Sequence, residues 1–349
     1  MEFARTAKRK DVLVITVKSK LIKTFSAIVL ALAIGLSFCG CDSLFSKKED
    51  DGKISIVCTI FPEYDWLRNI IGDGHSNIEL TLLIDDGADV HGFQPSTDDI
   101  VKISTCDMFV YVGGESSTWV DDAIANVTNK DMVIVDVVDA IGQDALEEEI
   151  VEGMQVEEHG DHDEEGHDGE TEFDEHVWLS LSNAQIICAT LVDELCALDP
   201  DNAPDYRLNE SLYVEELQQM DAAFREVCGN SARNTIVVGD RFPFRYLVND
   251  YGIEYYAAFV GCSSDTQASF ETIAFLASKV DELNLPWIIE LEGSTLGLAQ
   301  TIIDSSASGG QEIIYLNSME FISDEDIQNG VTYVDIMQSN LDALQIALN

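Results

Sequence analysis

The chain has 349 residues, of which 65 are acidic and 19 basic, so its formal net charge is -46 at pH 7 and its pI is near 4.1. This acidic excess argues against nucleic-acid binding, because each phosphate contact needs a cation, and it favours cationic ligands instead. With 46% hydrophobic residues the chain can bury a sizeable core, which excludes global disorder and allows one large or two ordinary domains.

The first 40 residues differ from the rest in charge. They hold seven basic and two acidic residues, and the cations precede an uncharged apolar run, residues 24–38, that is too short to span a bilayer. This order predicts a secretion signal peptide over residues 1–40, and the cations disfavour the alternative of a buried helix. The Gly40-Cys41 pair resembles a bacterial lipobox, in which cleavage leaves Cys41 as a lipid-modified N-terminus. We therefore expect a protein of net charge -51 after cleavage, held at the extracytoplasmic face of the cell membrane by a polar tether, residues 41–53.

Six cysteines lie in the body of the chain without a dense disulfide framework: Cys58, Cys106, Cys188, Cys196, Cys228 and Cys262. Cys188 and Cys196 are too far apart along a predicted helix to bridge. We expect most of these thiols to be free and buried, and the sequence leaves open whether Cys58 pairs with Cys106.

Short strands and helices alternate along the chain after the tether. Strands are predicted at 54–59, 79–84, 108–112, 132–137, 235–239, 254–258, 287–291 and 312–316, and helices at 65–71, 182–198, 205–227, 244–251, 269–283, 296–305 and 333–347. This order predicts an α/β fold with two parallel-sheet lobes, residues 54–204 and 230–349, joined by one long rigid helix, residues 205–229. On that helix we expect one buried stripe, formed by Leu208, Leu212, Leu217, Met220, Phe224 and Val227.

An acidic segment, residues 144–176, interrupts the first lobe. It holds 16 Asp or Glu residues and four of the six histidines, with no Lys or Arg. Such a charge block predicts a mobile loop that does not pack. Imidazoles among carboxylates favour weak binding of divalent metal ions, which we assign to His159, His162 and His167, over a merely solvated insert.

Four polar residues lie where a ligand site would form. His91 follows the strand 79–84, His176 ends the acidic segment, and Asp240 and Glu292 directly follow two strands of the second lobe. Ligand sites of open α/β sheets form outside the carboxyl ends of the strands. Two imidazoles and two carboxylates are a competent ligand set for a divalent transition metal, although each residue alone would more often be an ordinary surface residue.

The segments around both histidines carry a family resemblance. Gly87-Ala88-Asp89-Val90-His91-Gly92-Phe93-Gln94-Pro95, with Asp107 to Gly114 beyond it, resembles the first metal-binding segment of the zinc and manganese solute-binding proteins of ABC transporters. Asp174-Glu175-His176-Val177-Trp178-Leu179 is similar to their second, and it follows a His-rich acidic loop as in the zinc-specific members. The resemblance covers nearly the whole chain after the signal peptide, and it implies a metal in the inter-lobe cleft with His91 and His176 as ligands.

The third ligand of that family has no clean counterpart. Arg241 stands near the position where zinc-binding members have His and manganese-binding members have Glu, and a guanidinium cannot ligate a cation. We therefore expect Asp240 as the donor, against its alternative role as a helix N-cap. Glu292 lies where the family places a carboxylate, and Glu63 and Glu115 are further cleft candidates without motif support.

The resemblance implies a lipid-anchored, monomeric receptor that captures Zn(II), with Mn(II) the less favoured metal, and delivers it to a membrane permease driven by an ATPase. It implies no enzymatic activity. A secreted zinc-dependent hydrolase is an alternative, but it would need a general base, and His-Glu-x-x-His is absent from the sequence. A surface metal buffer or adhesin shares every sequence feature, and neighbouring permease and ATPase genes would distinguish the receptor from it.

Overall fold

The computed structural model describes residues 52–85, 90–114, 117–125, 127–155, 173–263 and 267–349. Residues 52–349 form one compact unit. Eight strands lie in this unit: β1 (Ile54–Cys58), β2 (Ile78–Leu82), β3 (Met108–Tyr111), β4 (Val133–Asp136), β5 (Thr235–Val238), β6 (Glu254–Ala257), β7 (Trp287–Leu291) and β8 (Glu312–Leu316).

The strands form two four-stranded sheets, with the orders β2-β1-β3-β4 and β6-β5-β7-β8. Every pairing between these strands is parallel, and β1 pairs Ile56 with Leu80 on one side and with Met108 on the other. Because the strands of each sheet are parallel, all their carboxyl ends meet at one edge. The predicted class, two α/β lobes with parallel sheets, is confirmed.

Eleven α-helices connect and cover the sheets in the part of the chain that the structure describes. They are α1 (Phe61–Ile71), α2 (Thr97–Thr105), α3 (Thr118–Ala125), α4 (Val137–Ile141), α5 (Leu181–Leu198), α6 (Ala203–Gly229), α7 (Arg245–Tyr251), α8 (Phe270–Leu283), α9 (Leu298–Ser305), α10 (Asp324–Gln328) and α11 (Tyr333–Ala347). Helix α6, which has 27 residues, links the two sheets and packs against α1, α5 and α11. The predicted long connecting helix is thus present.

The buried stripe of α6 differs from the predicted one in its first half. Leu208 and Leu212 are 60% and 59% exposed, whereas Tyr206 and Tyr213 are buried together with Leu217, Met220 and Phe224. The spacing explains the error. The step of five positions from Leu212 to Leu217 changes the side-chain direction around the helix axis by about 140°, so the two leucines do not share a face. The buried set instead follows spacings of seven, four, three and four, which keep one face toward the neighbouring helices.

Helix α5 is the one described helix that is long and apolar enough to cross a membrane. Half of it is buried inside the fold, and it packs directly on α6. These contacts are those of a core helix of the fold, which packs on several neighbours and keeps one stripe, Ala189, Asp193 and Ala197, exposed.

Both ends of the acidic segment are built into the fold, which corrects the expectation that it does not pack. The backbone N–H of Leu146 donates to the hydroxyl of Tyr246, at 3.0 Å. The backbone N–H of Gln155 donates to the carbonyl of Ala258, at 2.9 Å. The part of the segment before residue 156 therefore contacts the second lobe. Residues 156–172, with His159, His162 and His167, lie outside the described residues.

In the described residues none of the six cysteines is joined in a disulfide, as expected for most of them, and the open question of Cys58 and Cys106 is answered because these two do not pair. Cys58, Cys106, Cys188 and Cys196 are buried, and Cys228 and Cys262 are half-buried. No disulfide links the lobes or the strands in the described part of the chain.

Glu63, one of the cleft candidates, caps the amino end of α1. Its fully buried carboxyl group accepts hydrogen bonds from the backbone N–H groups of Thr59 and Ile60, at 2.8 and 3.2 Å. Burial raises the pKa of Glu63 to about 8, although these hydrogen bonds act to lower it. Its contact with the backbone N–H of Ile60, the N-cap residue of α1, is that of a capping box.

Replacing Glu63 by glutamine should stabilise the metal-free protein progressively as the pH rises. The folded state holds the carboxyl proton up to about pH 8, whereas an unfolded chain releases it near pH 4.5, so the wild-type protein loses stability between these values. Glutamine does not titrate, and the variant's advantage should therefore grow by at most ~1.4 kcal/mol per pH unit across that window. Urea unfolding of both proteins at pH 5 and pH 8 measures the difference, and an equal difference at the two pH values would contradict the raised pKa.

Candidate metal centre

Two histidines from distant parts of the chain meet beyond the carboxyl end of the first sheet. His91 follows β2, and His176 lies just before a short 3₁₀ helix, Val177–Leu179. Their Nε2 atoms are 3.3 Å apart, and the rings meet edge to face at 61°. The His176 side chain is fully buried and that of His91 is 10% exposed. Two imidazoles are thus held with one nitrogen each facing the same point.

Asp174 fixes the orientation of His176. Its Oδ1 atom lies 3.0 Å from Nδ1 of His176 and also accepts the backbone N–H of His176, at 2.9 Å. With Nδ1 hydrogen-bonded to this carboxylate, the other nitrogen, Nε2, is the one directed at His91, an arrangement typical of metal-ligating histidines. Burial acts to lower the pKa of His176, but the carboxylates of Asp174 and Glu320 outweigh it and raise this pKa to about 10.

Glu320 places a carboxylate against both imidazoles. Its Oε1 atom lies 2.7 Å from Nε2 of His91 and 3.7 Å from Nε2 of His176, and its side chain is fully buried. Burial disfavours its charged form, yet the hydrogen bonds and charges of the two histidines hold the pKa of Glu320 well below its usual range. Glu320 therefore faces the histidines as a carboxylate.

The loop that carries Glu320 is fixed on several sides. Met319 adopts a left-handed conformation, with φ of 65°, which is uncommon for a residue with a side chain. The carbonyl of Ser318 accepts the indole N–H of Trp178, at 2.8 Å, and the Ser318 hydroxyl donates to Oε2 of Glu320, at 2.5 Å. Because Trp178 is two residues from His176, these bonds join the two ligand-bearing segments directly.

A cysteine approaches the same point from the loop after β6. The sulfur of Cys262 and one nitrogen each of His91 and His176 all lie within 4.8 Å of one another. Burial, followed by the nearby carboxylates of Glu175 and Asp174, raises the pKa of the Cys262 thiol.

Gly261 allows that loop to approach His176. A Cβ atom at this position would lie 2.7 Å from Cε1 and 3.0 Å from Nδ1 of His176, and 3.1 Å from the carbonyl oxygen of Phe242. Real Cβ atoms essentially never approach a heavy atom within 3.0 Å. The backbone therefore rests directly on the imidazole, as only glycine permits.

Asp240 and Glu292, the two carboxylates predicted from strand ends, have other contacts in the described structure. Asp240 is buried, and its Oδ1 accepts the backbone N–H of Arg241, at 2.8 Å. Burial raises the pKa of Asp240, and burial followed by the charge of Asp240 raises the pKa of Glu290. Glu292 is exposed and accepts a hydrogen bond from the side-chain amide of Asn317, at 3.1 Å. Neither belongs to the group formed around the histidines.

Glu320, the carboxylate that the structure places against both histidines, is the residue that the sequence prediction missed. It lies four residues beyond the last residue of β8, Leu316, at the same edge of the second sheet as Glu292. The rule that sites form at the carboxyl ends of strands applies to β8 as well as to β7 and could have identified it. The sequence does not tell which of the two neighbouring loops turns inward.

Arg241 does not face the histidines as a ligand would. Its guanidinium lies over the ring of Phe321, 5.7 Å from the ring centroid. Cys41 and Glu115 lie outside the described residues, so their predicted roles rest on the sequence alone.

The spacing of these donors suits a tetrahedral ion. Two ligands bound to Zn(II) at about 2.0–2.1 Å in tetrahedral geometry lie ~3.3–3.4 Å apart. The separation of 3.3 Å between the two Nε2 atoms matches that value, and the two distances from Glu320, 2.7 and 3.7 Å, lie on either side of it. Imidazole and carboxylate donors are also those that zinc accepts.

Comparison with known proteins agrees with this chemistry. The family ZnuA, zinc-uptake complex component A periplasmic, matches residues 56–347. The zinc-binding lipoprotein AdcA of Streptococcus pneumoniae is 33% identical over 319 residues, which cover 91% of this chain and 60% of AdcA. The chain thus spans about 60% of the length of such AdcA relatives. The high-affinity zinc uptake system protein ZnuA of Bacillus subtilis is 28% identical over 322 residues, which cover 92% of this chain and 96% of that protein.

Solved structures share the fold. The Zn(II)-bound ZnuA-like domain of Streptococcus pneumoniae AdcA superimposes with a TM-score of 0.66 at 28% identity, covering 85% of this chain and 99% of that domain. The metal-dependent lipoprotein YcdH of Bacillus subtilis gives a TM-score of 0.68 at 28% identity, with the same coverage. Since the family match extends over most of the chain and includes both histidines and Glu320, the protein belongs to the ZnuA family of periplasmic zinc-uptake components.

Proposed function

We propose that the protein is the solute-binding component of a zinc-uptake ABC transporter, which captures Zn(II) outside the cytoplasmic membrane and delivers it to a permease driven by an ATPase. The observation that carries this proposal is the meeting of two imidazole nitrogens, 3.3 Å apart, with the buried carboxylate of Glu320. Family membership supports the transport role, and the names of relatives such as the zinc-binding lipoprotein AdcA support zinc as the cargo.

We propose His91, His176 and Glu320 as zinc ligands. Both histidines present Nε2, and Asp174 holds His176 from its other nitrogen. Glu320 replaces Glu292 as the carboxylate of the proposed site, because Glu320 contacts His91 whereas Glu292 contacts Asn317. The contacts likewise favour Glu320 over Asp240, whose Oδ1 accepts the backbone N–H of Arg241.

Capture needs no chemical step beyond ligand exchange. Zn(II) competes with a proton for the nitrogen of His176, so binding releases protons and strengthens as the pH rises. Asp174 and Glu320 supply negative charge beside the ion, while the surrounding fold excludes water from His176 and Glu320. The family is one of transport components, which favours a binding function over hydrolysis.

The location and partners follow from the same proposal. The signal peptide and Cys41 support lipid anchoring at the extracytoplasmic face, where the protein, as a monomer like that expected from the family resemblance, meets the permease. Residues 144–176 would gather further ions weakly through His159, His162 and His167. In the described part of this segment, the backbone N–H groups of Leu146 and Gln155 donate to the Tyr246 hydroxyl and the Ala258 carbonyl of the second lobe.

Replacing Cys41 by alanine should release the protein from membranes or block its maturation. A lipobox cysteine carries the lipid, and alanine offers no thiol for its attachment. Fractionation of cells into membrane and soluble material, followed by immunoblotting, measures the change. A Cys228→Ala protein, which retains Cys41, should stay in the membrane fraction. Recovery of the Cys41→Ala protein in membranes at the wild-type level would remove the lipoprotein assignment.

Competition between equal concentrations of Zn(II) and Mn(II) should leave one tightly held zinc ion on the protein. The usual order of divalent affinities puts Zn(II) well above Mn(II) at any site of mixed nitrogen and oxygen donors. Mass spectrometry of the intact protein measures the retained metal, and deletion of residues 159–167 should lower the total number of ions while leaving the tight one. Retention of mainly manganese, or loss of the tight ion with the deletion, would contradict the proposed zinc site.

A further inference from the structure

The loop after β6 presents a thiol to the proposed zinc ligands. Cys262 is half-buried, and its sulfur lies within 4.8 Å of ligand nitrogens from both His91 and His176. The thiol therefore lies beside two proposed zinc ligands.

The proposed site has three protein donors where a closed zinc site has four. Zinc in closed protein sites is almost always bound by four ligands in a tetrahedron. His91, His176 and Glu320 supply three, and Arg241, which stands near the position of the family's remaining ligand, cannot coordinate a cation. Its guanidinium lies over the ring of Phe321 instead. One donor is therefore still needed on the side of the second lobe.

The loop after β6 holds the Cys262 thiol close to the position where the fourth donor is needed. Gly261 rests on the imidazole of His176, where a Cβ atom would come within 2.7 Å of the ring. On the other side of Cys262, the backbone N–H of Ser263 donates to the carbonyl of Val260, at 3.3 Å, which closes a turn around the cysteine. The close approach at Gly261 and this turn keep Cys262 next to the histidines.

We propose that Cys262 is the fourth zinc ligand and that it coordinates as a thiolate. This inference rests on the proposed function, since it assigns a further ligand to the same ion. A bound Zn(II) ion deprotonates a coordinating thiol, so no separate base is needed. Thiolate is a soft ligand that suits zinc, whereas manganese prefers carboxylate, carbonyl and water. Cys262 therefore makes the site selective for Zn(II) over Mn(II), compensating for the histidine that Arg241 replaces.

Cobalt(II) substitution tests the ligand directly. Thiolate-bound Co(II) gives an intense charge-transfer absorption in the near ultraviolet, which nitrogen and oxygen ligands do not give. We expect this absorption in the wild-type protein loaded with one equivalent of Co(II), its loss in Cys262→Ser, and its retention in Cys228→Ser. Cys228 is a matched control because it is also half-buried but lies at the end of α6.

Two further measurements separate the role of Cys262 from the proposed function itself. Bound zinc should protect Cys262 from alkylation by iodoacetamide and leave the alkylation of Cys228 unchanged. Peptide mass spectrometry measures the labelling of each cysteine. In the Cys262→Ser protein the ratio of zinc affinity to manganese affinity should fall by at least ~10-fold. Even groups that only hydrogen-bond to metal ligands contribute that much to affinity.

Metal binding without the charge-transfer absorption, or with the absorption retained in Cys262→Ser, would overturn the assignment of Cys262 while leaving the zinc-uptake function in place. Equal labelling of Cys262 with and without zinc would overturn it as well. A wild-type protein that binds neither Co(II) nor Zn(II) would contradict the proposed function and the assignment together.

Discussion

Replacing His176 by alanine is expected to abolish the stabilisation against heat that Zn(II) gives the protein. A ligand that binds only the folded state stabilises it by mass action, by about 4 kcal/mol at a thousandfold excess over the dissociation constant. For a folded unit of this size, that corresponds to a rise in melting temperature of roughly 6 °C. His176 is fully buried between Asp174, His91 and Glu320, so no other side chain can replace its Nε2 atom. Calorimetry or fluorescence melting with and without zinc measures the effect.

The control for this variant is His75→Ala. His75 lies 3.8 Å from the carboxylate of Asp205 and against the ring of Tyr206, in contacts separate from those of His91 and His176. Its removal can lower the stability of the fold, but the increment given by zinc should stay as in the wild-type protein. A His176→Ala protein that zinc stabilises as fully as the wild type would remove His176 from the proposed ligands.

Replacing Gly261 by alanine should weaken zinc binding by about 10- to 100-fold, the cost typical of disturbing groups that support metal ligands. The added methyl group would lie 2.7 Å from the His176 ring, which is buried and cannot swing away without losing its bond to Asp174. Either the imidazole or the loop carrying Cys262 must move, and both changes disturb the arrangement of donors.

Isothermal titration of the metal-free Gly261→Ala protein with Zn(II) measures this loss. Gly229→Ala is the matched control, because a Cβ atom at Gly229 meets nothing within 4 Å and this residue does not need a left-handed conformation. Unchanged zinc affinity in the Gly261→Ala protein would show that the close packing of this loop on His176 has no bearing on the site.

The secondary structure was largely predictable, because buried strands and amphipathic helices leave clear periodic patterns. The predicted strand at 287–291 and the predicted helix at 333–347 have the bounds found in the structure for β7 and α11. The stripe on α6 was less predictable at its amino end. Leucines at 208 and 212 fit an apolar pattern, but the tyrosines at 206 and 213 face the core, and their hydroxyl groups made them weaker signals of burial.

The site was predictable only where sequence motifs carried it. The segments around His91 and His176 hold specific motifs, and the structure brings the two imidazoles together. Glu320 and Cys262 lie on irregular loops, and their approach depends on backbone conformations such as the positive φ of Met319. Asp240 stands at the end of a strand as a site residue should, yet its carboxylate accepts the backbone N–H of Arg241 and does not join the histidines. A strand end fixes the edge of the sheet but not the direction of each side chain.

The most direct test of the zinc-binding assignment is a crystal structure of the zinc-loaded protein with anomalous data collected at the zinc absorption edge. We expect one strong anomalous peak within the described fold, bounded by Nε2 of His91, Nε2 of His176 and the carboxylate of Glu320, with the sulfur of Cys262 as the fourth neighbour. A principal zinc peak between Asp240 and Glu292, or one that leaves either histidine uncoordinated, would contradict the proposed site.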